Sequence, residues 1–413
     1  MDPKNDEMKR NMILKLVLRV PAYLLWLFSK LLFWRHQERI WLIGCGGERW
    51  GDNADALWRY LNKKHPDIKA LAVIKKESDL DQHHMAWVKR RSWGNLLLLQ
   101  KAEALITTHA LTEVGPESIS FLSPAVKVRI EHGVIGIKKM PSDDHSFKQF
   151  DLICASSVKE KAIMAGEMGL DPGKIRITGL ARHDDLKASG DSYRREGILY
   201  MPTIRDWVTA EDESFYQEML FSWIEHYSSQ ANPVLIKLWL HPNWYKKGFG
   251  AINIPNLSKI DLGQDPQQVL LESEMLVTDY SSMAFDAALS GRPVVFFQPD
   301  REQFSKRRGL YEDFLAQDNL LVVGDEQELV AVIGHLLSDK KYRESRVAED
   351  QKWAYQYVET FDGKACERIY HEINSLIAGR WQVPLPPATV AGVRGTCYAK
   401  GVNAYCLMDL YLL

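Results

Sequence analysis

The chain has 413 residues, of which 46% are apolar, and a formal net charge of −2. That leaves room for two domains with sizeable cores and is too apolar for a disordered chain. It is also too nearly neutral for a protein that relies on a global field to attract nucleic acid. Its five cysteines, Cys45, Cys154, Cys366, Cys397 and Cys406, are odd in number and lack the paired spacing of a zinc site. They argue against a disulfide framework and fit a reducing cytoplasm.

Residues 12–34, MILKLVLRVPAYLLWLFSKLLFW, have the length of a membrane span, but Lys15, Arg19, Lys30 and Pro21 interrupt it. No small-residue cleavage site follows, so a signal peptide does not fit. Tyr23, Trp26, Phe28, Phe33 and Trp34 are mixed with cations. That pattern predicts an amphipathic helix lying in a membrane interface within residues 1–36. The plain alternative is a helix packed on the protein's own core.

Beyond it, short apolar runs alternate with helical periodicity. Strands are predicted at 40–44, 70–74, 104–107, 126–130, 152–155 and 175–178. A second series follows at 198–201, 234–240, 275–278, 294–297 and 320–323. Helical patterns fall at 54–61, 159–168, 214–227 and 327–337, and a long one at 341–378 is expected to close the second unit. This alternation predicts an α/β protein with parallel sheets. The polar stretch 187–196 reads as a linker, giving domains at 37–190 and 191–380. Pro384, Pro386 and Pro387 then open an irregular tail, 381–413.

Parallel sheets bind ligands beyond the carboxyl ends of their strands, so polar residues there are the candidates. The run 126–130 leads to His132, where Gly133 lets the backbone turn and Lys138 and Lys139 follow. A histidine there can take a proton from an attacking hydroxyl near neutral pH. The run 234–240 ends in His241, before Pro242. Either histidine alone is read as readily as one bonded to a backbone carbonyl, but a cleft between two sheets would bring the two strand ends face to face. Arg205 follows the first strand of the second series. It can fork a phosphate or pair with Asp206 or Glu211 at the surface.

In the stretch LVTDYSSMAFDAALSGRP, residues 276–293, Ser281 can cap a helix that Gly291 ends. Such a helix start also suits phosphate, and Ser282 adds a hydroxyl the cap does not need. Elsewhere, Gly44-Cys45-Gly46-Gly47 is neither a dinucleotide fingerprint nor a P-loop, and adjacent His83-His84 make a poor metal pair.

Several motifs occur in order: Glu131-His132-Gly133, then Gly179-Leu180-Ala181-Arg182-His183-Asp184, then Pro202-Thr203-Ile204-Arg205, then His241-Pro242. The last is Thr278-Asp279-Tyr280-Ser281-Ser282 with Phe285-Asp286. The set resembles the CDP-glycerol glycerophosphotransferases, the teichoic-acid-type polymerases and primases. Gly51-Asp52-Asn53, Arg308-Gly309-Leu310-Tyr311 and Asp362-Gly363-Lys364-Ala365 extend the resemblance. Glu131 and Ile204 stand where that family usually has tryptophan, and Ala181 and His183 where it often has proline and asparagine.

The resemblance implies a GT-B-like architecture of two facing Rossmann-like domains with the active site in the cleft. It implies that a hydroxyl of a lipid-linked or polymeric acceptor attacks the β-phosphorus of CDP-glycerol, or another CDP-alditol, and that CMP leaves. No tightly bound metal and no organic cofactor are implied. By the same resemblance His132 is the general base, and His241 and Arg205 stabilise charge on the pyrophosphate. Ser281 and Ser282 are its ligands. Thr278, Asp279, Arg308 and Gly309 complete the donor site, flanked by Gly133, Lys138, Arg182 and Asp184.

The implied setting is the cytoplasmic face of the cell membrane, as a peripheral protein making a teichoic-acid-like or capsule polymer. No nucleic acid partner is implied, and homo-oligomerisation is left open. The same fold also serves nucleotide-sugar glycosyltransferases, and a catalytically inactive membrane-bound scaffold is a third reading.

Overall fold

The computed structural model describes residues 38–46, 50–75, 85–140, 145–190, 192–228, 234–241, 243–244, 254, 257–261 and 263–381. The expected interfacial helix, and the tail from residue 382 onward, lie outside the described residues.

Two parallel sheets form the frame. The first has β1 (Arg39–Gly44), β2 (Ile68–Ile74), β3 (Trp87–Lys89), β4 (Ala104–Thr107), β5 (Val126–Arg129), β6 (Leu152–Ala155) and β7 (Ile175–Ile177), in the order β3-β2-β1-β4-β5-β6-β7. The second has β8 (Ile198–Met201), β9 (Ile236–Leu238), β10 (Leu257–Lys259), β11 (Met275–Thr278), β12 (Val294–Phe297) and β13 (Val322–Val323), in the order β10-β9-β8-β11-β12-β13. The strands ALIT, LICA, ILYM, MLVT and VVFF are buried at every residue. Continuous apolar runs of this kind are what a sheet covered on both faces requires.

Each sheet reverses its strand order once. In the first, β1 pairs with β2 on one side and β4 on the other. In the second, β8 lies between β9 and β11. Such switch points open a crevice at the carboxyl ends of the strands, where the connecting loops leave in opposite directions. The sequence thus predicts the α/β class, both sheets and their parallel sense. It passes over β3 and β10, short edge strands (WVK and LSK) with mostly exposed residues and no apolar run to mark them.

The helical pattern 341–378 is not one helix, nor does all of it close the second unit. It divides into Lys340–Ala354 and Ala365–Trp381. The first half stays with the second sheet, where Trp353 and Ala354 join the core. The second half crosses back: Cys366, Ile369, Ile373 and Ile377 are buried against Trp41, Val128 and Leu152 of the first sheet.

The two sheets also share a core. Val134, Ile135 and Ile137, from the segment after Gly133, are buried with Tyr280, Phe285, Trp353 and Tyr357 of the second unit. Gly136 makes this approach possible, since a Cβ there would lie 2.5 Å from the Tyr357 ring. Further along, Lys138 forms an antiparallel bridge with Leu310. The Lys139 N–H donates to Gly309 O at 3.0 Å, and the Tyr311 N–H donates to Ile137 O at 3.0 Å.

Candidate active site

His132 stands just past β5, half-turned to solvent with 63% of its side chain exposed. Its Nδ1 lies 3.0 Å from Asp52 Oδ2, at the start of the helix Asp52–Lys64. Among the described residues three non-glycines have positive φ, and two are at this pair: Asp52 itself at 57° and Glu131, next to His132, at 53°. Backbone strain of about 1–3 kcal/mol per residue persists only where the surroundings enforce it. Here Asn53 enforces it: its Nδ2–H donates to Glu131 O at 3.1 Å and its Oδ1 accepts from the Arg182 N–H at 2.9 Å.

Burial alone would push the Asp52 carboxyl up, but the Arg182 guanidinium and His132 outweigh it and hold it well below the usual carboxylate range. An ionised carboxylate only accepts hydrogen bonds, so the neutral form of His132 carries its proton on Nδ1. Nε2 is left with a lone pair and, among the described residues, no protein partner. That is the arrangement of a general base with its orienting carboxylate.

Arg182 ties this pair to the second sheet. Nη1 donates to Asp52 Oδ1 at 2.8 Å and to His132 O. Nε and Nη2 donate to the two oxygens of Asp286 at 3.0 and 2.9 Å. Asp286 is fully buried and also accepts from Gln267 Nε2 at 3.2 Å. Arg182 therefore braces the site, its guanidinium committed to Asp286, Asp52 and the His132 carbonyl. Asp184, two residues on, does something else: it accepts from the N–H groups of Ala365 and Cys366, both at 2.8 Å, and so holds the start of the returning helix.

Gly133 brings the His-Gly turn against the serine pair. A Cβ on Gly133 would stand 2.5 Å from Ser282 Oγ. Ser281 and Ser282 are half-buried at the start of the helix Met283–Leu289. The helix start differs from the sequence expectation. Ser282 takes the cap position by its backbone, and its hydroxyl makes no cap bond. Ser281 Oγ accepts from the Met283 N–H at 3.3 Å.

Arg205, Asp279 and Thr278 are drawn inward. Arg205 is fully buried, with Nε and Nη2 on Asp300 at 3.0 and 2.8 Å and Nη1 on Asp279 and Thr203 O. Its fork grips two carboxylates, so here it is a tie between loops rather than a phosphate ligand. Asp279 also accepts from the Thr203 N–H at 2.9 Å and the Tyr280 N–H at 2.5 Å. The Thr278 hydroxyl donates to Met201 O at 2.7 Å. Together they fasten the loop after β8 to the loop after β11, at the switch point.

Lys138 and Arg308 are among the cations that border the junction. Arg308 is partly exposed, with Nη1 3.9 Å from Asp206 Oδ2. Gly309 has φ 85°, and a Cβ there would lie 3.1 Å from the Lys139 side chain. Burial, aided by Arg308 and Arg205, pushes the Lys138 ammonium down to about 8, while Asp279 and Asp206 work in the opposite direction. His241 is exposed past β9, with Nδ1 accepting from the Asn243 N–H at 3.2 Å. It lies on the same carboxyl edge as the Arg205 and Ser281 loops, since β9 neighbours β8.

One residue of the site goes unnoticed in the sequence. His109 follows β4, and its ring centroid is 4.7 Å from that of His132. The signal is the one used for the other two histidines, a buried apolar run ending at a histidine.

The family model for CDP-glycerol:poly(glycerophosphate) glycerophosphotransferase matches residues 27–375. The chain belongs to this family. It is 24% identical over 382 residues to the minor teichoic acid biosynthesis protein GgaB of Bacillus subtilis, covering 83% of this chain and 40% of that one. It is 23% identical over 368 residues to the teichoic acid glycerol-phosphate transferase of Staphylococcus aureus, covering 79% of this chain and 90% of that one. The chain thus spans well under half of GgaB but most of the transferase.

In structure it is similar to the wall teichoic acid polymerase TagF, with a TM-score of 0.62 at 18% identity over 84% of this chain and 90% of that one. A TagF variant soaked with CDPG gives 0.66 at 18% identity, over 92% and 100%. At such identity the likeness establishes the shared two-sheet fold, as the GT-B-like expectation required.

Proposed function

We propose that this family member transfers glycerol phosphate, or a related alditol phosphate, from a CDP-alditol to a hydroxyl of a lipid-linked or polymeric acceptor in surface-polymer synthesis. The observation that carries it is the Asp52–His132 pair, whose Nε2 has no protein partner among the described residues and which adjoins Gly133, packed on Ser282. His132 takes the proton of the acceptor hydroxyl as its oxygen attacks the β-phosphorus. The bond from that phosphorus to the CMP oxygen breaks, and CMP leaves with the electron pair. CMP is a good leaving group, so little general-acid help is needed. Lys138, Arg308 and His241 are the side chains best able to meet the pyrophosphate charge, with the hydroxyls of Ser281 and Ser282.

Family membership supports this reading, as do the relatives named for teichoic acid synthesis. The deciding experiment gives purified protein CDP-glycerol, CDP-ribitol and UDP-sugars with a lipid-linked acceptor, and identifies the nucleotide released. CMP is expected. Release of UDP, with no CMP from any CDP-alditol, overturns the proposal in favour of a glycosyltransferase.

Membrane attachment is a separate part of the proposal and rests on residues 12–34. Among the described residues no helix is long and apolar enough to cross a membrane. Deleting residues 1–35 should release the protein from the membrane fraction, and unchanged partition would remove this part alone.

A further inference from the structure

A transfer of this kind needs one base, yet the fold places two imidazoles side by side. His109 leaves β4 at the switch point of the first sheet, next to β5 and His132. The ring planes are 33° apart, and the side chains are 45% and 63% exposed. His109 is anchored as firmly as its neighbour. Its Nδ1 lies 2.9 Å from Thr108 Oγ1 and 3.4 Å from Glu113 Oε1. Gly46 closes over it, at a position where a Cβ would be 2.3 Å from Nδ1.

The protons can be assigned from these partners. Burial would push the Glu113 carboxyl up, but His109 and the Thr108 and Ala110 N–H groups hold it below its ordinary value. It is therefore an acceptor, and it takes the Thr108 hydroxyl proton at 3.2 Å. With that hydroxyl's proton committed, neutral His109 donates from Nδ1 and keeps a lone pair on Nε2. His132 keeps one too, for the reason given above. Among the described residues neither Nε2 has a protein partner.

We infer that His109 accepts a hydrogen bond from a second hydroxyl of the acceptor, vicinal to the one that reacts. His132 takes the proton of the attacking hydroxyl, and His109 holds its neighbour and fixes which of the two attacks. Two imidazoles at this spacing can each receive one hydroxyl of such a pair. Glycerol units and sugar rings both carry this chemistry. The inference rests on the proposed transferase reading. A site placed to bond a hydroxyl discriminates against the analogue lacking it.

The test uses two acceptors on one lipid anchor: one ends in glycerol phosphate, the other in the propanediol phosphate that lacks the hydroxyl beside the reacting one. With the CDP-alditol that the enzyme uses, wild type should favour the diol by about 10²-fold or more in kcat/KM. His109→Ala should reduce that preference below about tenfold by losing rate on the diol, with donor KM unchanged. If the alanine variant does not fold, His109→Gln, which still offers an acceptor oxygen, should keep more of the preference than the shorter His109→Asn. Equal use of both acceptors by wild type overturns the inference and leaves the transferase reading intact. So does an equal loss on both acceptors in His109→Ala. Absence of CMP release from either acceptor removes the transferase reading, and this inference with it.

Discussion

Arg182 and Asp286 join the two sheets through a paired bond, Nε to Oδ1 at 3.0 Å and Nη2 to Oδ2 at 2.9 Å. Both residues are buried, and the same guanidinium reaches Asp52 behind His132. The site and the contact between the sheets therefore depend on one cation.

Removing that cation leaves Asp286 and Asp52 without their counter-charge. Arg182→Ala should lose about 3–5 kcal/mol in urea unfolding, the usual cost of breaking a buried pair from one side. Arg182→Met with Asp286→Leu should recover part of the loss, because one buried charge goes with its partner. Both carboxyls are held low in the folded state. Their contribution is present above the ordinary carboxylate range, about pH 4, and is lost as pH falls through their lowered values. The acid limb of the stability curve should be shallower in the double variant.

The base and its carboxylate should act as a unit. His132→Ala should lower CMP release by about 10²–10⁴-fold in single-turnover measurements, with donor affinity little changed. Asp52→Asn should also lose rate, since an amide can donate to Nδ1 and place the imidazole proton on Nε2. Combining the two should cost little more than His132→Ala alone. Additive losses would separate the roles.

Steric contact between the His-Gly turn and the serine pair gives a reciprocal test. Gly133→Ala places a Cβ 2.5 Å from Ser282 Oγ and 3.2 Å from its Cβ. It should lower kcat and stability together, the latter by about 1–3 kcal/mol. Ser282→Gly should restore much of both. Ser282→Ala alone should change stability by no more than about 0.5 kcal/mol, since its hydroxyl caps nothing. It should raise the donor KM.

Lys138 supplies a pH dependence. Its ammonium titrates near 8 and loses charge as pH rises past that value, so an anionic donor should bind progressively less well on the alkaline side. The donor KM is expected to climb above pH 8 in wild type and stay flatter in Lys138→Arg. Folding responds with the opposite slope. A lysine lowered in the folded state costs least once it is neutral, so stability should rise between about pH 8 and 10.

The apolar runs made the frame legible. Buried parallel strands have to be continuous apolar segments, and ALIT, LICA, MLVT and VVFF could be little else. The polar residues at their ends were visible too, but their duties were not. Arg205 and Asp184 stand in strand-end motifs beside His132 and Ser282, yet one grips Asp279 and Asp300 and the other starts a helix. Chain spacing carries no record of which counter-charge a loop will meet. His109 carries the same strand-end signal as His132 and His241, but Thr108 and Glu113, which orient it, are recognisable as partners only once the short turn Leu111–Glu113 has folded.

The helix Ala365–Trp381 has a practical corollary. Its apolar side chains cover the first sheet, although almost the whole second unit separates them in the chain. A fragment ending near residue 190 would leave Trp41, Val128 and Leu152 uncovered and would strip Ile135 and Ile137 of their packing. A fragment beginning there would carry an amphipathic helix with nothing to lie on. Neither half should fold alone, and denaturant should melt the two sheets in a single cooperative step.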